Sequence, residues 1–254
     1  MISLDLSGRT ALVTGGSGAL GRAMVRTLAE AGADVAVHFH ANRSQADLLV
    51  SELEAMGRRA VAVQADVTEA GSVGAMREAV ADALGAPDIV VANAVIQYEW
   101  TPILDQPLAD FDSQYRSCVL QNVHLAKAFV PAMTEAGWGR VIGINTEVAM
   151  MCDVTQAAYA AAKRGMDGFY RVLAREIGPQ GVTVNQVAPG WTLSELVEEP
   201  DSDHARAYRA GVPLRRHGTA QEIANVVAFL ASDLASFITG ATVPVSGGNV
   251  MPTI

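Results

Sequence analysis

Short runs of β-branched and small apolar residues alternate with longer stretches of helical periodicity over almost the whole chain, and this alternation limits the fold more than any other feature. A run at Arg9–Thr14, a helical stretch over Leu20–Ala31 and a second run at Asp34–Phe39 read as a βαβ unit. Parallel strands need crossovers of roughly a dozen residues or more, and the helices that make them cover both faces of the sheet. The pattern continues with a helix over Arg43–Met56, a strand at Ala60–Ala65, a helix near Ser72–Leu84 and a strand at Asp88–Ala92. Leu108, Phe111, Tyr115, Leu125 and Phe129 then keep helical spacing through a long segment expected to end near Pro131 and Gly137. Strands at Val141–Ile144, Val182–Val187 and Thr242–Val245 and helices at Ala157–Ile177 and Ala220–Ala231 complete the set. The expected class is α/β, one domain with a doubly wound parallel sheet flanked by helices. Between Pro189 and Pro213 the periodicity is weak and polar residues are many, which predicts a long loop with a short helix, and long loops commonly carry function.

Composition narrows the partners. The 254 residues are half hydrophobic, enough for one sizeable core, and 18 basic against 27 acidic side chains leave a net charge of −9. With no basic run, such a surface repels phosphate backbones, so DNA and RNA are not expected partners. Two cysteines, Cys118 and Cys152, make no disulfide framework and belong to no CxxC pair. The start, Met1–Leu6, carries Asp5 and lacks the basic region and apolar run of a signal peptide, and no stretch has the length of a membrane helix, so a cytoplasmic protein is expected.

Two patterns carry chemistry. The first strand runs directly into Thr14, Gly15, Gly16, Ser17, Gly18, Ala19, Leu20 and Gly21, and a helix follows at once. Glycines let the backbone approach a pyrophosphate closely, and the helix N-terminus supplies N–H donors and partial positive charge. Tyr159 and Lys163 lie four apart on a predicted helix and therefore on one face. A phenol of pKa ~10 is a weak acid, but a neighbouring ammonium stabilises its phenolate and makes it a usable proton donor.

The loop has the form TGxxxGxG with Ala19 at the middle glycine, and from it onward the chain resembles the short-chain dehydrogenase/reductase family, in particular its 3-oxoacyl carrier-protein reductase branch. Later markers fall in order: Asp66 and Val67 after the third strand, Ala92–Val95 where the family has NNAG, Tyr159 and Lys163 as YxxxK, and Pro189 with Gly190. The resemblance implies a Rossmann-like fold, with residues 1–95 mainly binding cofactor and 112–213 forming the catalytic and substrate part. It places cofactor contacts at Gly15, Ser17, Gly18, Leu20, Gly21, Asp66, Val67, Asn93, Ala94, Tyr159, Lys163, Pro189, Gly190 and Thr192. Thr146, thirteen residues before Tyr159, stands at the family's catalytic serine and keeps a hydroxyl. Cys118 falls at an asparagine whose main-chain carbonyl holds a relay water in the family, and Asn122, one turn later, could contribute a polar group instead. Ala92, Val95 and Ser194 also depart from the family pattern. A homotetramer is implied by the same resemblance.

At the end of the second strand an acidic residue would bind a ribose hydroxyl and repel a 2′-phosphate. This chain reads His38, Phe39, His40, Ala41, Asn42, Arg43 and Ser44, with no acid. His40, Asn42, Arg43 and Ser44 are thus expected around a phosphate, and the cofactor is expected to be NADPH. A pairing of His38 with His40 on a metal lacks further ligands, so no metal is expected. The substrate is expected against Glu147, Met151, Val154, Trp191, Thr192 and Leu196, whose largely apolar character suits a hydrophobic or aromatic, polyketide-like ketone of the angucycline type. The competing enzyme reading is a 3-oxoacyl or general carbonyl reductase or alcohol dehydrogenase. A different class, a non-catalytic NADP-binding sensor or partner subunit, is suggested by Ala19, Val95 and Cys118 and opposed by Thr146, Tyr159 and Lys163.

Overall fold

A computed structural model describes residues 4–193 and 201–252. Four-residue β1 (Thr10–Val13) is the third strand from one edge of a seven-stranded parallel sheet. Around it stand β2 (Asp34–Phe39), β3 (Ala60–Gln64), β4 (Ile89–Ala92), β5 (Gly139–Ile144), β6 (Val182–Pro189) and β9 (Thr242–Val245), in the order β3-β2-β1-β4-β5-β6-β9. The order reverses between β1 and β4, the switch point beyond which doubly wound sheets bind ligands. Two-residue strands β7 (Thr192–Leu193) and β8 (Gly218–Thr219) pair separately.

Helices cover both faces, as continuous apolar strands require. On one face α1 (Ala19–Glu30), α2 (Arg43–Ala55) and α9 (Ala220–Ala231) bury Val25, Leu28, Leu49, Leu53, Val227 and Leu230. On the other, α3 (Ala70–Leu84), α5 (Gln121–Ala136) and α7 (Ala157–Ile177) bury Met76, Val80, Leu125, Phe129, Met166 and Tyr170. Short helices α4 (Leu108–Tyr115), α6 (Val148–Met151) and α8 (Asp203–Gly211) complete the chain. Caps set several starts: Asn42 accepts from Gln45 N, Ser202 from Ala205 N, and Thr219 with Glu222 forms a capping box.

The long helical segment ends at Gly137 as expected: α5 runs through Pro131 and the left-handed φ of 70° at Gly137 closes its last turn. One expectation is corrected: the segment is not one regular helix, because Arg116–Leu120 forms a π-helical turn between α4 and α5. No described helix is long and apolar enough to cross a membrane.

Candidate active site

Beyond the carboxyl ends of β1 to β6 opens a cleft of about 880 Å³. Its floor is the glycine loop. Gly15 has a φ of +62°, open to glycine without strain, and a Cβ on Gly21 would stand 2.1 Å from Gly15 O. Loop and helix therefore close on each other only because no side chain intervenes. Ser17, Gly18, Ala19, Leu20 and Gly21 line the cleft, and no described side chain caps α1, so its first N–H groups face that space.

The loop is braced from both sides. Thr14 Oγ1 accepts Asn93 N–H at 2.9 Å and Ala94 N–H at 3.1 Å, while Asn93 Nδ2 donates to Thr14 O and Gly15 O. On the β2 side Gly15 N–H donates to His38 Nδ1 at 2.9 Å and Gly16 N–H to His38 O at 2.8 Å. Asp66 and Val67 form the wall beyond β3, and two hydrogen bonds from Thr68 hold the Asp66 carboxyl below its ordinary pKa.

Thr146, Tyr159 and Lys163 meet at the inner end of the cleft. Lys163 is buried and donates from Nζ to Ile144 O at 2.6 Å, which fixes its ammonium 5.5 Å from the Tyr159 ring centre. Burial pushes the Tyr159 phenol up, and Lys163 together with a hydrogen bond involving the Thr146 side chain draws it back down. Asn145, the residue after β5, orders the group: its Nδ2 bonds Lys163 O and Gln186 Oε1 and its Oδ1 accepts Thr146 N–H. Tyr98 Oη accepts Tyr159 N–H at 3.2 Å, tying the loop after β4 to the first turn of α7.

The structure brings together Gly15, Ser17, Gly18, Leu20, Gly21, His40, Asn42, Asp66, Val67, Asn93, Ala94, Thr146, Tyr159, Lys163, Pro189, Gly190 and Thr192 in one cleft. Other expected residues stand apart from it. Arg43 points outward and pairs with Asp47 one helical turn on, and Ser44 bonds the Asn42 cap. Cys118 is fully buried on the π turn with its thiol turned to Gln114 and Ser117, and Ser117 takes the cleft-facing place. The Cys118 carbonyl accepts Asn122 Nδ2 at 2.6 Å, and Asn122 Oδ1 accepts the Tyr170 hydroxyl. Asn122 is buried and takes no part in the cleft lining.

Glu147 lies outside the cleft lining. Its buried carboxylate accepts Tyr208 Oη at 2.8 Å, Trp191 N at 3.2 Å and Asn249 Nδ2 at 3.0 Å, a full set for a desolvated charge. Trp191 packs edge-on to Tyr208 and His217 rather than into the cleft. Met151, the last residue of α6, and Val154, in the loop that follows, are exposed and outside the cleft lining, and Leu196 and Ser194 lie outside the described residues. Sequence reasoning missed Thr14, Tyr98, Asn145 and the role of His38. A hydroxyl abutting the glycine loop was a readable signal for Thr14; the other three act through distant partners.

A glycine-walled cleft at the switch point, with a phenol and an ammonium at its inner end, defines an oxidoreductase of the nucleotide-binding α/β class. The chain belongs to the short-chain dehydrogenase/reductase family: residues 16–249 match the family described as enoyl-(acyl carrier protein) reductase. It is 40% identical over 258 residues to the 3-oxoacyl-(acyl-carrier-protein) reductase FabG of Pseudomonas aeruginosa, covering 98% of this chain and 100% of that one. Among solved structures, a blue fluorescent protein from a metagenomic library in complex with NADPH is 35% identical with a TM-score of 0.91, covering 97% of this chain and 100% of that one. A doubly substituted short-chain dehydrogenase/reductase of Serratia marcescens is 30% identical with a TM-score of 0.90, covering 96% and 98%.

Proposed function

We propose that this oxidoreductase is an NADPH-dependent ketoreductase that converts the carbonyl of a hydrophobic or aromatic, polyketide-like substrate to an alcohol. The convergence of Thr146, Tyr159 and Lys163 at the inner end of the glycine-lined cleft carries the reading. The cleft fits the cofactor: a loop that tolerates no Cβ at Gly21, uncapped N–H groups at α1, and His40 and Asn42 rather than an acid at the end of β2. Bound NADPH supplies the hydride. Tyr159 gives its proton to the carbonyl oxygen, Thr146 donates a hydrogen bond to that oxygen, and Lys163 keeps the phenol acidic enough to act. Exposed apolar side chains in the two segments that flank the Tyr98–Tyr159 link, Trp100 and Ile103 in the loop after β4 and Met151 and Val154 before α7, support a bulky apolar substrate. A 3-oxoacyl thioester is the second reading, favoured by the Pseudomonas relative. Exposed Tyr115, Val172 and Phe237 support a homo-oligomer, read as a tetramer.

The test is NADPH oxidation, followed by the absorbance of the reduced nicotinamide, with bulky aromatic ketones beside 3-oxoacyl thioesters and short ketones. Turnover is expected with the aromatic ketones, and roughly tenfold better with NADPH than NADH, the size of one charge-assisted contact. Faster turnover of the thioester would replace the substrate reading. NADPH binding without turnover of any carbonyl would leave a non-catalytic binding protein.

A further inference from the structure

His38 is buried to within 1% of complete and yet forms part of the cleft wall. Its ring spans two structures that frame the cofactor site. Nδ1 lies 2.9 Å from Gly15 N and Nε2 lies 3.1 Å from Ala65 O. A main-chain N–H can only donate and a carbonyl can only accept, so both bonds form in one state alone: neutral imidazole, with the lone pair on Nδ1 and the proton on Nε2. The main chain of the same residue holds Gly16 N–H at 2.8 Å. His38 thereby fixes the first two glycines of the loop and ties them to the residue before Asp66, across from the brace made by Asn93.

We infer that His38 is a positioning residue of the dinucleotide site, whose neutral ring sets the glycine loop for cofactor and whose protonation opposes cofactor binding. The inference rests on the NADPH reading above. A second proton on Nδ1 would face Gly15 N–H donor to donor, which breaks the bond and releases the loop at its first glycine. Of the ionisable groups around the ring, His40 opposes protonation and Asp66 favours it, while β1, β3 and the glycine loop carry no ionisable side chain. Burial dominates and holds the imidazole down to about 4. Cofactor that binds only the braced loop must lower it further, because linkage between two binding events is reciprocal.

The experiment uses the full chain with NADP, the acid-stable oxidised form, bound at neutral pH and in steps towards pH ~4.5, where the ring begins to charge. His38→Phe keeps bulk and removes both ring nitrogens, and His38→Asn restores an acceptor near Nδ1 that does not titrate. The phenylalanine variant is expected to bind NADP at least roughly tenfold more weakly at neutral pH, the size of one main-chain hydrogen bond left unmade. Asparagine should recover most of that loss and flatten the acid limb seen in the wild-type protein. Nitrogen-15 spectra of histidine-labelled wild-type protein give an independent readout, with the His38 titration midpoint expected to fall when NADP is added. Wild-type protein that binds no dinucleotide would overturn the cofactor reading and this inference together. Wild-type binding with unchanged affinity in His38→Phe, or a midpoint indifferent to NADP, would overturn this inference alone.

Discussion

The glycine loop is braced by neighbours in the sheet, His38 from β2 and Asn93 from the end of β4, whereas the loops at the other end of the cleft meet through one buried carboxylate. Glu147 gathers Trp191, Tyr208 on α8 and Asn249 near the C-terminus, segments remote from one another in sequence. The loops around this knot also hold the three described non-glycine residues with positive φ, Cys152, Thr155 and Arg215. Side chains at strand ends that bond the main chain of the loop fix one geometry because strand register is already set, which suits a phosphate-bearing cofactor. A side-chain knot between loops can change with its members, which suits the part of an enzyme that selects substrate. The two regions should therefore fail separately.

Tyr159 stands where they meet, and its replacement is the largest effect expected. Tyr159→Phe should lower kcat by ~10²-fold or more by removing the proton donor. The NADPH dissociation constant should stay near the wild-type value, since the ring and Lys163 remain. A parallel loss of NADPH binding would show that the two regions are not separable at this residue. The same phenol sets the alkaline limb: reduction needs its protonated form, so the rate falls as pH rises through its pKa. Lys163 pulls that value down, so Lys163→Met should move the limb to higher pH while lowering the rate.

A second, smaller break targets the knot. Tyr208→Phe removes the hydroxyl that donates to Glu147 and accepts Trp191 N–H at 2.8 Å, leaving a buried carboxylate short of one donor. Burial and the adjacent carboxylate hold the Tyr208 phenol above its ordinary pKa, so it is a neutral donor throughout the physiological range. The loss should cost about 1 to 3 kcal/mol of stability, read as a lowered melting temperature, and raise KM for the ketone with little change in NADPH affinity. A raised dissociation constant for NADPH with an unchanged KM would place the knot in the cofactor half instead.

This contrast also explains what could be read from the chain alone. Strand and helix positions, the glycine loop and the Tyr159–Lys163 pair were legible because each is local: periodicity, a turn that only glycine permits, and a one-turn spacing on α7. The hydrogen-bonding of Glu147 was not legible because its three donors lie 44 to 102 residues away, and nothing local marks them. Arg43, assigned to a phosphate, pairs with Asp47 one turn along the same exposed helix face, a spacing visible in the sequence. Cys118 is buried, as a small apolar residue is expected to be, while the π turn at Arg116–Leu120 puts Ser117 in the cleft lining, which no local pattern marks. For His38 the sequence offered only a metal pairing without further ligands, because the Gly15 and Ala65 groups that hold its ring lie 23 and 27 residues away.

The smallest effect separates wall from brace within a single residue. Thr192 lines the cleft, yet its hydroxyl donates to Gly190 O at 3.0 Å and its main chain belongs to β7, paired with β8 at Gly218. Thr192→Ile keeps the β-branch and deletes that hydrogen bond, so the backbone loses about 1 kcal/mol while the wall gains a methylene. Because hydride comes from a fixed cofactor, the face the ketone presents decides the configuration of the alcohol. Chiral analysis of the product should show a shifted enantiomer ratio or a few-fold change in preference between ketones, a difference of about 1 kcal/mol between competing orientations. NADPH affinity should hold, since the glycine loop and His38 are untouched. An identical product ratio with a melting temperature lower by about 2 to 4 °C would assign Thr192 to bracing β7 against β8 and leave the choice of substrate face to other residues.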